Sequence, residues 1–83
     1  MTHSVKVDFS LLDANKLASH FNIEFAETAK DDVMIHTLLT KLIKGRATAR
    51  FGKTFGTWRS AYITTPNEDF FNKLVVLIKE CEK

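Results

Sequence analysis

The sequence predicts a two-layer α+β domain, with helices packed on one face of a small, mainly antiparallel sheet. Three observations carry that expectation. Residues 3–9 alternate apolar and polar side chains, as a half-buried strand does. Two stretches, about 30–44 and 66–82, repeat apolar residues at helical spacing. Between them, residues 46–64 are rich in Thr, aromatic side chains and Ile around the loop GKTFG, which is hairpin chemistry.

In chain order, the first strand sets Val5, Val7 and Phe9 on one face and Lys6 and Asp8 on the other. Ser10 then reads as a helix N-cap, with Asp13 three residues on in capping-box position. Leu11, Ala14, Leu17, Ala18 and Phe21 share one face of a helix over about 11–21. Residues 22–26 alternate again through Ile23 and Phe25, as either a short strand or an extended link. Thr28 and Asp31 repeat the capping pattern before the stripe Met34, Ile35, Leu38, Leu39, Leu42 and Ile43. Gly45 stands where a helix C-terminal glycine belongs, and Lys41 and Lys44 complement the negative end of the dipole.

The hairpin arms fall at about 46–51 and 57–64. Thr65-Pro66-Asn67-Glu68 is a helix start, with Thr as cap, Pro at the first helical position and Glu at the third. Phe70, Phe71, Leu74, Leu77, Ile78 and Cys81 line one side of the helix that follows. The order strand, helix, helix, strand, strand, helix resembles one form of the KH domain. That family's GxxG loop, which clamps a nucleic-acid backbone, falls between the first two helices. This chain has NIEFAETA there, without glycine, so the resemblance stops at element order.

Residues 1–83 make one domain. A chain of this length buries only about 60–65% of its unfolded surface, so the core is small. Cys81 is the single cysteine, which excludes an intramolecular disulfide and points to a reducing, cytoplasmic setting. The longest aliphatic run is 75–78, far short of a membrane span, and the N-terminus has no signal-peptide pattern. The expectation is a protein with no membrane partner.

Charge is polarised along the chain. The 35 residues 33–67 carry Lys41, Lys44, Arg46, Arg50, Lys53 and Arg59 and no acidic residue. Residues 1–32 and 68–83 carry net charges of −3 and −1. The basic segment also holds Phe51, Phe55, Trp58 and Tyr62.

Strand register decides how those side chains are displayed, because a one-residue slip moves each to the other face. In one register Ala47, Ala49 and Phe51 share a face with Trp58, Ser60 and Tyr62, leaving Arg46, Arg50 and Arg59 on the other. In the alternative, Arg59 joins the alanines, while Trp58 and Tyr62 join Arg46 and Arg50 as exposed stacking platforms, a stronger single-stranded nucleic-acid signal. Burying an unpaired guanidinium costs several kcal/mol, against about 1.5–3 kcal/mol for exposing Ile63. The first register is therefore expected, with the aromatic residues mostly in the core.

No reaction chemistry is legible. Gly52-Lys53-Thr54 echoes the end of a phosphate-binding loop, but Ala47 occupies the position of its first glycine. His3, His20 and His36 have no metal-ligand spacing. Asp31 and Asp32 are accounted for by the first turn of a helix, where carboxylates favour the dipole. The expectation is a non-enzyme without cofactor or metal.

The sequence thus points to a small binding protein whose basic hairpin surface contacts a polyanion, foremost the nucleic-acid backbone. The residues expected to form it are Lys41, Lys44, Arg46, Arg50, Lys53, Phe55 and Arg59. The alternative is a protein-binding inhibitor, adaptor or regulator that masks an acidic or nucleic-acid-binding surface of a partner. The apolar arc of the last helix, with Val76 off its stripe, is also wide enough for a homodimer contact.

Overall fold

The computed structural model describes residues 1–83 and has the expected α+β architecture. Its elements are β1 (His3–Asp8), α1 (Ala14–Phe21), α2 (Asp31–Ile43), β2 (Thr48–Thr54), β3 (Thr57–Thr65) and α3 (Glu68–Glu80). The sheet is antiparallel in the order β1-β3-β2, so the last strand is central and the other two are edges. One sheet face meets the helices through Val7, Ala61 and Ile63, which join Leu17, Ile35, Leu38, Leu39 and Leu74 in a single core. The other face is uncovered. No helix is long and apolar enough to cross a membrane.

Capping chemistry moves three helix starts. Ser10 does not cap α1, because Asp8 takes both its donors: the Ser10 N–H at 2.9 Å and Oγ at 2.7 Å. That fixes a 3-10 turn over Phe9–Leu11 and leaves Leu11 exposed outside the helix. Asp13 caps α1 instead, accepting from the N–H groups of Asn15 and Lys16. Thr28 makes no cap; Lys30 holds that position for α2 without a side-chain bond, and Asp31 and Asp32 fill the first turn. Asn67 rather than Thr65 caps α3, accepting from Phe70 N–H at 2.9 Å, so Pro66 precedes the helix.

Residues 22–30 link α1 to α2 without forming a strand. Asn22 turns the chain there in a left-handed conformation, φ 53°. Gly45 does the same after α2, φ 76°, as a C-terminal glycine should. The C-terminal segment folds back on the start of α1: Asp13 N–H donates to Cys81 C=O at 2.7 Å, and Lys83 N–H to Leu11 C=O at 2.9 Å.

The hairpin is tighter than the GKTFG loop suggests. β2 continues to Thr54, and only Phe55 and Gly56 form the turn. Its register corrects the expected one. Ala49 pairs with Ile63 and Phe51 with Ala61, whereas Arg50 pairs with Tyr62 and Gly52 with Ser60. Pairing then shifts so that Lys53 faces Trp58, leaving Arg59 as an extra residue on β3. Strict alternation forced a choice between burying Arg59 and exposing Ile63. The bulge removes that choice: Ile63 is fully buried, Arg59 is exposed, and Trp58 stays on the helix side. Ser60 and Tyr62 therefore lie on the open face, not with the alanines.

Candidate nucleic-acid interface

Three rows of paired residues cross the open face, because residues opposite each other in a sheet share a side. Ser4, Thr64 and Thr48 form the first, Lys6, Tyr62 and Arg50 the second, and Asp8, Ser60 and Gly52 the third. The middle row sets an aromatic ring between two cations on neighbouring strands. With strands about 4.8 Å apart, Lys6 and Arg50 stand about 10 Å from each other across it. All three residues are exposed, Tyr62 at 49%. Ser4 Oγ and Thr64 Oγ1 hydrogen-bond at 3.2 Å beside them.

The only carboxylate on this face is Asp8. Its pKa is held below the usual value, first by the Ser10 hydroxyl, then by the Ser10 N–H, with Lys6 adding a smaller pull. It stays ionised and engaged with Ser10, which makes that end of the face less welcoming to an anion.

The seven residues expected from the sequence do not form one surface. Thr65 Oγ1 donates to Arg46 C=O at 2.9 Å, which places the C-terminal end of α2 near the end of β3. Asp32 contacts Trp58, so the start of α2 lies near the hairpin turn. The helix is about 20 Å long. Lys41, Lys44 and Arg46 are thus gathered at one end of the molecule. Arg46 leaves the expected strand face altogether, its guanidinium carbon lying 5.8 Å from the Phe70 ring centroid of α3.

The hairpin carries the other four. Arg50 points from the open face. Lys53 projects on the helix side, its ammonium 4.7 Å from the centre of the Trp58 ring. Phe55 forms the tip and is 98% exposed. Arg59, pushed out by the bulge, borders a depression shared with Asp31, Asp32 and Trp58. None of the six basic residues is ion-paired: the single charge contact within 4.0 Å joins His20 to Glu80 at 3.6 Å.

Lys6 was missed by sequence reasoning, and Tyr62 stood beside Arg50 only in the alternative register. The alternation of residues 3–9 does put Lys6 on the polar face of its strand, but nothing local says that β1 lies beside β3. The bulge is what lets Tyr62 face outward beside Arg50 while Trp58 stays on the helix side. Trp58, in contrast, is a structural residue: it stacks on His36 at 4.2 Å with 9° between planes, and Phe51 meets it edge-on at 5.8 Å. His3 stacks on Phe71 at 5.2 Å, so each histidine has its own neighbour and no cluster of metal-ligating side chains forms. Comparison of the chain with protein-family models, curated proteins and solved structures finds no match.

Proposed function

We propose that the protein is a non-enzymatic nucleic-acid-binding protein that attaches electrostatically to the phosphate backbone. The observation that carries this reading is the row Lys6–Tyr62–Arg50 on an uncovered sheet face, with neither cation held in an ion pair. Lys53 and Arg59 extend the positive charge along the hairpin, on its other side and at its bulge. Lys41, Lys44 and Arg46 lie near the C-terminal end of α2, within reach of a long ligand.

Cations without internal partners keep their attraction for phosphate, whereas internally paired ones must first break those pairs. Each phosphate contact releases counterions, with a slope of about −0.7 in log K against log salt for single strands and −0.9 for B-DNA. Fluorescence anisotropy with labelled oligonucleotides at low and moderate salt tests the reading. Affinity that falls with salt, and falls further in Lys6→Glu plus Arg50→Glu, is the expected result. Absence of binding at low salt, or affinity indifferent to salt, overturns it.

A second reading, attachment to a protein partner or a second copy, rests on Val76, 54% exposed on α3 beside Leu77. Capture from lysate with and without nuclease separates the two. A partner retained after nuclease treatment, with no affinity for free nucleic acid, favours the second.

A further inference from the structure

We infer that the nucleic acid is single-stranded and that its bases stack on Tyr62 and Phe55. This inference rests on the reading above and specifies its ligand. The chain has nine Phe, Tyr and Trp residues, and only these two are exposed. The other seven pack in or against the core. Neither exposed ring has an aromatic neighbour within the protein.

Phe55 is placed against its own backbone preference. It has φ 51° and the following Gly56 has φ 77°, so both turn residues are left-handed. A two-residue turn of this kind favours Asn, Asp or Gly first, because a bulky L side chain crowds the backbone there. The fold gains no packing in return, since the ring is almost wholly in solvent. A strained, exposed aromatic residue at the tip of a cationic hairpin marks a contact surface.

Tyr62 supplies the second platform. A ring on an open sheet offers its face to an unpaired base, whereas the bases of a duplex are already stacked on one another. A strand crossing the sheet would lay one base on Tyr62 and bring flanking phosphates toward Lys6 and Arg50. Phe55 lies roughly 20 Å further along β3, at 3.3 Å per residue, within reach of the same strand several nucleotides on.

The test titrates wild type, Phe55→Asn, Tyr62→Thr and the double variant against a labelled oligothymidylate of about 12 nucleotides and a duplex of equal length. The single strand should bind more tightly than the duplex at matched salt. Each substitution should weaken single-strand binding by roughly 5- to 150-fold, the range of one base–aromatic stack. Phe55→Asn should at the same time raise the urea midpoint of unfolding, because Asn suits the left-handed turn. Loss of binding in a more stable protein cannot come from misfolding. A double variant that binds the single strand like wild type, or a duplex bound at least as tightly, overturns the inference. If that binding stays salt-dependent, the electrostatic reading survives; if wild type binds no nucleic acid, both fall.

Discussion

The Asp32 carboxylate accepts a 3.0 Å hydrogen bond from the backbone N–H of Trp58. The first turn of α2 is thereby tied to β3 one residue before the bulge at Arg59. Asp32 serves the helix dipole as its position predicts, but it also holds the hairpin against the helix. One turn further along α2, His36 stacks on the Trp58 ring, so the same helix fixes both the backbone and the side chain of Trp58.

Asp32→Ala should therefore destabilise the fold by about 1.5–3 kcal/mol, the range for a hydrogen bond to a charged group. Asp32→Asn keeps an acceptor and should cost less. Urea unfolding gives the magnitude. Near-ultraviolet circular dichroism of the single Trp58 should show its packing loosened in the alanine variant.

Thr65 offers a cleaner separation of shape from hydrogen bonding. It is fully buried, its hydroxyl donates to Arg46 C=O at 2.9 Å, and it accepts from Asn67 N–H at 3.1 Å. The residue joins the end of β3 to the entries of both β2 and α3. Thr65→Val keeps the branched shape and removes both bonds. We expect a loss of about 1–3 kcal/mol, the cost of leaving such groups unsatisfied, measured as a lower urea midpoint with unchanged slope.

The same residue illustrates what the sequence could reveal. Thr65-Pro66-Asn67 announces a helix start, and a helix does follow, but capping chemistry alone does not decide between Thr65 and Asn67. Contacts remote in sequence settle it: Thr65 is buried at the end of β3 with its hydroxyl donating to Arg46 C=O, its oxygen accepts from Asn67 N–H, and Asn67 is left to accept from Phe70 N–H. The amphipathic stripe of α2 and the alternation of β1 were legible because each is a local repeat. The interface was only half legible. Charge segregation revealed the basic segment, yet the row Lys6–Tyr62–Arg50 needs two facts held in no local pattern: that β1 flanks β3, and that β3 carries an extra residue at Arg59.

Cys81 makes stability fall at alkaline pH. Burial pushes its thiol pKa above the ordinary 9.0, and the carboxylates of Glu80 and Asp13 push the same way against a smaller opposing pull from Lys16. The folded state therefore holds its proton more tightly than the unfolded chain. The contribution is fully present below pH 9.0 and is lost as pH rises through the folded value. Cys81→Ala should be less stable at pH 7, because it leaves a small cavity. Its stability should nevertheless decline less steeply between pH 7 and about 10. Parallel urea titrations of the two proteins cancel the lysine and tyrosine contributions they share. Equal pH slopes would contradict the assignment.

Gly52 and Ser60 test the bulge. They are the last regular pair before the shift, and a Cβ on Gly52 would come within 2.7 Å of Ser60 Oγ. The obstacle is a hydroxyl, which can relieve the contact only by leaving its rotamer or displacing the strand. Gly52→Ala should cost about 1 kcal/mol, the scale of an off-rotamer side chain. Removing the hydroxyl removes the obstacle, so Ser60→Ala should restore most of that loss, and the pair should be strongly non-additive in a double-mutant cycle. If the serine relaxed freely, the two substitutions would simply add. If the register had no shift at this point, Ser60 would no longer sit opposite Gly52 as the last regular pair, and the coupling would vanish. A strong measured coupling would therefore support the pairing that buries Ile63, exposes Arg59 and brings Tyr62 between Lys6 and Arg50.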